Sequence, residues 1–424
     1  MQRIAVLGVL ALTGTIGGSA VALSGIDNDK IVANLLRPGG QYLTYDVGAY
    51  ETGPLVEAFD PKQRFAVGKG VFYRDWLATT DGAAPLAGPD YDATSCAACH
   101  VETASAEDLS TASFTPLIAK PATADHLRRF GPQLTTNRHG AAAPEASIEV
   151  LRVTWPFMYP DGEQRSLVQP VGRAFDRNGD IVPVRLRAAP LLFGWGLLER
   201  VDPKMLAFFH DPDDRNGDGI SGRLVGDGDR VAFLGWKNSH TNLQSQIAAA
   251  LANDMGVTSR HNCGPGCSDE IKPAELDALT EYVRHLGVPD RRPLDETTGQ
   301  HLFGTTGCVD CHVTVLKTRP TDDDSPLAGQ LVWPYSDLML HDMGPALAEP
   351  GGAPDASEWR TAPLWGLGVV EAHLPQRGFL HDGRARTIEE AVLWHGGEAE
   401  RSRQRFVALT ANEREALLAY VRSL

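Results

Sequence analysis

The sequence is poor in positive charge and, after its first 22 residues, it has no long apolar run. Its 39 Lys and Arg residues stand against 54 Asp and Glu residues, which gives a net charge of −15. Such a surface repels nucleic-acid phosphates and anionic lipid headgroups, so neither is an expected partner. A spanning helix needs about 18 consecutive apolar residues, and none is predicted beyond the start of the chain. The expected partners are small molecules and proteins with a basic docking patch.

The first 22 residues have the composition of an export signal. Arg3 precedes an apolar run over residues 4–12, and the segment ends in the A-x-A pattern of residues 20–22. This pattern predicts a signal peptide over residues 1–22 and therefore a periplasmic protein. The alternative is an uncleaved N-terminal membrane anchor, because no charge interrupts residues 4–22.

Cysteine is scarce, with six in the chain, and four of the six lie in two CxxCH motifs. Two residues between the cysteines let both sulfurs form thioethers with the vinyl groups of one porphyrin, while the next histidine can bind the iron. A redox dithiol or half of a zinc site is the alternative, but it does not require a histidine after both motifs. We therefore predict two covalently bound c-type haems. Their predicted attachment and proximal residues are Cys96, Cys99 and His100 in the first motif, and Cys308, Cys311 and His312 in the second.

The remaining cysteines, Cys263 and Cys267, are separated by Gly-Pro-Gly and have no histidine after them. A local disulfide that closes a tight loop is the prediction for an exported chain. A third metal site is the alternative.

The two halves of the sequence repeat each other. Segment 281–286 (EYVRHL) recurs as 419–424 (AYVRSL), each at the end of a predicted helix. The first helix is predicted to begin near Pro273 and the second near Thr410, where Glu413 completes a capping-box pattern. Two further echoes pair Gly68 and Phe72 with Gly299 and Phe303, and residues 187–191 (RAAPL) with residues 360–364 (RTAPL).

We therefore predict a mainly α fold made of two cytochrome c-like helical domains. The predicted divisions are residues 1–22 for the signal peptide, 23–287 for the N-terminal haem domain and 288–424 for the C-terminal haem domain. The first half is longer between corresponding points. Its surplus at residues 147–156 and 181–186 is rich in Val, Ile and Leu between turn residues, which predicts an extended, β-containing insertion.

Three segments carry a resemblance to a known family. They are residues 335–344 (YSDLMLHDMG), 358–366 (EWRTAPLWG) and 380–397 (LHDGRARTIEEAVLWHGG). With the two CxxCH motifs, the chain after residue 22 resembles the di-haem oxidoreductases grouped as peroxidase-like proteins, which are related to the bacterial di-haem cytochrome c peroxidases. The resemblance implies that electrons enter at the C-terminal haem and that hydrogen peroxide, or another small oxidant, reacts at the N-terminal haem.

The resemblance also implies residues for the site. His395 matches the position of the second axial ligand of the C-terminal haem, where the relatives have Met; His341 and Met343 are competing candidates. For the reacting haem, the relatives have a Trp between the haems with a Gln and an acidic residue near the open face, and Trp236, Gln246 and Asp254 are similar to that pattern. Asp254 would be the acid/base for O–O cleavage. A structural helix with Trp236 in the core is the alternative.

Two histidines, His126 and His139, are candidate sixth ligands of the N-terminal haem, although either would also fit a surface position. The main alternative to an enzyme is a pure electron-transfer di-haem cytochrome c without substrate turnover. Oxygen-dependent cleavage of an organic substrate is a third hypothesis. An elaborated first half favours an enzyme, because an electron carrier needs no such addition.

One acidic loop resembles the first half of an EF-hand. Asp214, Asn216 and Asp218 supply oxygens at alternate positions, with Gly219 next to the last of them, and this spacing makes them candidate calcium ligands. No Glu stands at the twelfth position, which favours a simple turn. Residues 176–180 repeat the spacing and are predicted to form a hairpin turn.

Overall fold

The fold is known from a computed structural model. It describes residues 43–44, 62–78, 85–100, 117–139, 143–227, 230–264, 267–292, 297–320, 325–374 and 377–424. The predicted signal peptide, residues 1–22, lies outside the described residues. None of the helices in the described ranges has the length and apolar character needed to cross a bilayer.

Twelve α-helices lie in the described part of the chain, most of them short. Several begin at clear capping residues, such as Asn242, Thr387 and Thr410, whose side chains accept a hydrogen bond from a backbone N–H in the first turn. The helices are α1 Lys62–Phe72, α2 Ala97–His100, α3 Ala124–Phe130, α4 Trp195–Glu199, α5 Pro203–Phe208, α6 Leu243–Met255, α7 Pro273–Arg284, α8 Thr297–Thr305, α9 Leu367–His373, α10 Ile388–Trp394, α11 Glu400–Val407 and α12 Ala411–Ser423.

Fifteen strands pair into seven small sheets within the same residues. Only one sheet has three strands, in the order β5-β6-β7, and its first two strands form a hairpin of 13 residues each. The strands are β1 Leu43–Thr44, β2 Asp90–Tyr91, β3 Leu117–Pro121, β4 Asn137–Arg138, β5 Ala146–Met158, β6 Gln164–Asp176, β7 Ile181–Val182, β8 Val184–Ala188, β9 Val225–Asp227, β10 Arg230–Ala232, β11 Val288–Pro289, β12 Leu316–Lys317, β13 Leu331–Val332, β14 Leu340–Asp342 and β15 Glu358–Arg360.

The prediction of a mainly α fold with two cytochrome c-like helical domains is wrong. Of the described residues, 33% are helical and 21% are in strands, and small sheets occur in both halves of the chain. The predicted insertion does contain β5 to β8, but strands such as β14 and β15 lie far outside it. These strands are two or three residues long, so they carry no recognisable alternation of apolar and polar residues. The division at residues 287 and 288 stays a prediction.

The repeat in the sequence corresponds to two tight helix pairs. Helix α1 packs on α7, and α8 packs on α12. At each contact a glycine lies against the backbone of the partner helix: a Cβ added to Gly68 would overlap the Ala278 carbonyl, and one added to Gly299 would overlap the Ala416 carbonyl. Glycine recurs in the sequence because the helix axes approach too closely for any side chain at these positions.

Two large apolar cores surround these pairs. The first contains residues of α1, α6 and α7, and the second contains residues of α8, α10 and α12. A smaller third core lies between the hairpin and the antiparallel ribbon of β3 and β8. The ribbon links the hairpin to the segment after β8, which reaches the site described below.

Candidate functional site

The second CxxCH motif follows helix α8 in a short 3₁₀ turn, Cys308–Asp310. The turn begins after Gly307, whose left-handed φ of 89° lets the chain reverse direction at the end of the helix. It brings Cys308, Cys311 and His312 to the wall of one cavity. Both thiols and the imidazole therefore face the same space, as one haem would require.

A backbone carbonyl fixes the orientation of His312. Its Nδ1–H donates to the carbonyl of Tyr335 at 2.8 Å. Tyr335 has a left-handed φ of 53°, which is rare for a side chain of this size and common at functional sites. Burial lowers the pKa of His312 to about 4, so the ring is neutral and its Nε2 is available as a metal ligand.

His395 reaches the same cavity from the end of helix α10. Its Nδ1–H donates to the Ala391 carbonyl at 2.6 Å, and burial lowers the pKa of its imidazole. A charge on His395 would also lower the pKa of His312, so the two rings lie close enough to interact. The structure therefore brings the predicted axial pair of the C-terminal haem into one cavity.

The cavity itself is lined mainly by apolar and aromatic side chains. Both RxAPL echoes contribute to its wall, through residues 188–191 and 361–364. Apolar walls, two thiols and two neutral imidazoles with fixed Nδ1 atoms are the donors and surfaces that fit haem. Aromatic side chains in the wall are Phe193, Trp195, Trp236, Phe303, Trp359, Trp365 and Phe379.

The first CxxCH motif forms the short helix α2, and His100 repeats the arrangement of the other two histidines. Its Nδ1–H donates to the carbonyl of Pro190 at 3.0 Å, and burial lowers its pKa to about 4. Pro190 is itself part of the cavity wall. Burial also raises the pKa of the Cys96 and Cys99 thiols to about 12, which keeps both protonated. All three predicted haem ligands thus have Nδ1 occupied, and within the described residues their Nε2 atoms have no hydrogen-bond partner and are left for iron.

The competing ligand candidates differ from these three. Both ring nitrogens of His341 are occupied, because Nδ1 lies 2.8 Å from Glu398 Oε2 and Nε2 lies 2.9 Å from Asp337 Oδ2. Met343 lines the cavity and packs against the second core. His126 contacts the Thr123 hydroxyl, His139 contacts the Ala87 carbonyl, and neither lines the cavity. His395 is the candidate that this geometry favours.

The three predicted catalytic residues lie in different surroundings. Trp236 lines the cavity, and its Nε1–H donates to the Ala188 carbonyl at 2.8 Å. Gln246 and Asp254 lie two turns apart on helix α6, and neither lines the cavity. The Gln246 Oε1 atom is buried and, within the described residues, accepts no hydrogen bond.

Asp254 is held in a polar bridge that the sequence did not suggest. The Nε2 of buried Gln133 donates to Asp254 Oδ1 at 2.8 Å and to Asp92 Oδ2 at 2.7 Å. Burial raises the pKa of Asp254 to about 6, and its charge raises the pKa of Cys96 and Cys99 in turn. Asp254 therefore lies close enough to Cys96 and Cys99 to affect both thiols. Gln133 is 41 residues from Asp92 and 121 from Asp254, so no local pattern could reveal the bridge.

The candidate calcium loop is exposed, and its oxygens bind their own backbone. Asp214 accepts from the Gly219 N–H at 3.1 Å, Asn216 from the Asp218 N–H at 2.9 Å, and Asp218 from the Ile220 N–H at 2.9 Å. These are contacts of a turn, and calcium binding here stays a prediction. Asp176 forms the predicted hairpin turn, accepting from the N–H of residues 178 and 180. The predicted disulfide between Cys263 and Cys267 is present.

Comparison with known proteins identifies part of the chain. Residues 260–424 match the family model described as "Di-haem oxidoreductase, putative peroxidase". This match confirms the resemblance found in the sequence and implies haem cofactors and an oxidoreductase activity. The matched region contains the second CxxCH motif and His395, and it begins after the first motif. No curated protein and no solved structure matches the chain.

Proposed function

We propose that the protein is a periplasmic di-haem c-type oxidoreductase of the peroxidase type, and the match of residues 260–424 to the di-haem oxidoreductase family model supports this proposal. The main support for this proposal is a geometry that three histidines share. His100, His312 and His395 each donate Nδ1–H to a backbone carbonyl and keep a neutral ring. Histidines that bind metals usually have their second nitrogen fixed in this way.

The proposal includes covalent attachment of both haems. Each motif holds two cysteines within one short helical turn, directly before a histidine whose Nε2 is available. In the second motif both thiols and the imidazole line the same apolar cavity. Thioether bonds from such a pair would keep the porphyrin in register with the imidazole below it.

We propose that electrons enter at the C-terminal haem and that peroxide reacts at the N-terminal haem. His312 and His395, which line one cavity, would hold the iron of the C-terminal haem through two imidazole nitrogens and so occupy its coordination positions. At the first motif, the Pro190 carbonyl in the cavity wall fixes the ring of His100. His381 also lines the cavity, where its ring stacks on that of Trp359 with 3.6 Å between the ring centres. One axial ligand would leave a coordination position for a small oxidant.

Haem iron, once bound, supplies the one-electron chemistry that peroxide reduction needs. The residues of the chain would position the reacting groups and transfer protons to and from the bound oxidant. Trp236 is held in the cavity wall by its bond to Ala188, where it can relay electrons between the two sites. Asp254, with its pKa raised to about 6, can accept and return a proton near neutral pH.

The partner that fits this proposal is a small redox protein with a basic docking patch. The net charge of −15 would steer a positively charged donor to the surface and repel a negatively charged one. The periplasm is the proposed compartment, because c-type haems are attached outside the cytoplasm and residues 1–22 resemble an export signal.

The experiment that tests attachment is a haem count on the exported, matured protein. We expect two haems per chain in the pyridine haemochrome spectrum, and the intact mass should retain both after acid-acetone extraction. Replacing Cys96 and Cys99 together by Ser should leave one haem per chain. Extraction of all haem from the unmodified protein would overturn the c-type assignment.

A further inference from the structure

A cluster of cations lies on one face of the ribbon formed by β3 and β8. Lys120 and Arg185 are register partners in the ribbon, and Arg187 lies two residues beyond Arg185 on the same face. Lys237 approaches this face from the segment after β10. We refer to Lys120, Arg185, Arg187 and Lys237 as the cationic cluster.

The cluster contains more positive charge than the described residues neutralise. The buried carboxylate of Glu349 forms an ion pair with Arg187 and lies 3.7 Å from Arg185 and 3.5 Å from Lys237. The ammonium group of Lys120 forms no hydrogen bond or ion pair within the parts of the chain that the structure describes. A second carboxylate, Asp355, is mostly exposed and lies 3.9 Å from Lys237.

Burial makes this imbalance costly. Arg187 is buried, and Lys120 and Lys237 are partly buried. Burial lowers the pKa of all three groups, and the mutual repulsion of the cations adds to the effect. Cations removed from water are retained in proteins when an anion compensates them. Glu349 and the mostly exposed Asp355 are two carboxylates beside four cations, which leaves room for a further anion.

The cationic cluster lies near the cavity and near the first CxxCH motif. The Arg187 guanidinium lies 4.5 Å and the Lys237 ammonium 4.2 Å from the ring centre of Trp359, which lines the cavity. From Arg187 the extended chain reaches Pro190, whose carbonyl orients His100, and three extended residues span about 10 Å. Lys120 also interacts with Asp254, which in turn acts on the first pair of cysteines.

We propose that the cationic cluster is a carboxylate-binding site that holds the propionates of the N-terminal haem. This inference rests on the proposed function, because it requires a haem at His100. The guanidinium of Arg187 presents paired N–H groups that match a carboxylate, and Lys120 supplies a point charge beside it. Propionates are the carboxylates that a haem attached at Cys96 and Cys99 brings to this place.

The test compares haem-loaded variants Lys120→Gln and Arg187→Gln with the control Arg129→Gln, which removes an exposed cation paired with Asp176 elsewhere. Consider a unit charge about 10 Å from a haem iron, with an effective dielectric constant of about 20. Removing this charge changes the equilibrium constant for reduction of the iron on the order of tenfold. We therefore expect each cluster variant to lower the equilibrium constant for reduction of one haem about tenfold. This corresponds to a decrease of about 59 mV in its one-electron reduction potential.

The propionate bending bands in resonance Raman spectra should shift in the same two variants, and the other haem and the control should not change. Lys120→Gln serves as the second variant because Lys120 has no ion pair to lose, so its folding should be intact. Unchanged potentials and propionate bands in both variants, with two haems still attached, would overturn the inference and leave the proposed function standing. A haem count below two in the unmodified protein would instead refute the proposed function.

A free carboxylate is the other source of the same chemistry. Succinate should leave the Soret band of the unmodified protein unchanged, because the cluster is already occupied by propionates. A succinate-dependent spectral change that both cluster variants lose, with constant propionate bands, would assign the cluster to an external anion and overturn the propionate assignment.

Discussion

The contact between helices α8 and α12 predicts that Gly299→Ala destabilises the protein. A Cβ at this position would overlap the Ala416 carbonyl and come within 2.7 Å of the Tyr420 Cβ, so a backbone segment would have to move. Overpacking of this kind costs about 1–3 kcal/mol, whereas Ala is favoured over Gly by about 0.5–1 kcal/mol in a helix. The expected net loss is about 1–2 kcal/mol in the free energy of unfolding.

The matched control is Gly304→Ala in the same helix, where an added Cβ meets no atom within 4 Å. This variant should be as stable as the unmodified protein, or more stable by up to about 1 kcal/mol. The assay is urea unfolding of the haem-loaded protein, followed by far-UV circular dichroism, with the midpoints compared at equal haem content. Equal midpoints for Gly299→Ala and Gly304→Ala would refute the proposed close contact of the two helices.

Three further predictions concern the site. Replacing Cys308 and Cys311 together by Ser should lower the covalently retained haem from two per chain to one, whereas Cys263→Ser should retain both; a haemochrome count checks this, and equal counts would contradict it. Because the pKa of Asp254 is about 6, peroxide turnover that needs its carboxylate should rise as the pH increases through 6. Asp254→Asn should lower turnover about 10²-fold or more and remove this inflection, and an unchanged pH profile would exclude Asp254 as the base. His395→Met should raise the reduction potential of one haem, since His/Met ligation favours the reduced iron compared with two histidines; a spectroelectrochemical titration measures it, and a constant potential would argue against His395 as a ligand.

Much of the local structure could be predicted because its causes lie within a few residues. Pro273 begins α7, and Thr410 with Glu413 forms the capping box of α12, as the sequence indicates. The spacing of each CxxCH motif specifies which side chains share a turn, and the disulfide between Cys263 and Cys267 follows from proximity in the chain. In each case the partners are neighbours along the sequence.

The fold class could not be predicted, because its causes are distant contacts. Strand β14 exists through its pairing with β15, and the three residues of each would not form a strand alone. The orienting carbonyls are equally hidden, since Pro190 is 90 residues from His100 and any residue can offer a carbonyl. Gln133, which bridges two carboxylates, belongs to no motif.

The family resemblance predicted His395 as a haem ligand, and the structure shows why this residue is suited to that role. Its Nε2 has no hydrogen-bond partner among the described residues, and the ring faces the same space as His312. By contrast, the resemblance also suggested Gln246, whose carbonyl oxygen is buried away from the cavity. A match to a family motif predicts which residue types are present. Which of these residues lie at the same site depends on how the chain packs.

Peroxide chemistry at one open haem iron is best tested by the low-temperature electron paramagnetic resonance spectrum of the matured protein, oxidised and half-reduced, with and without hydrogen peroxide. We expect one low-spin haem with two imidazole ligands and a second, high-spin haem whose signal disappears when peroxide is added. Two low-spin haems in both redox states, unaffected by peroxide, would contradict the account and indicate an electron-transfer protein without substrate turnover.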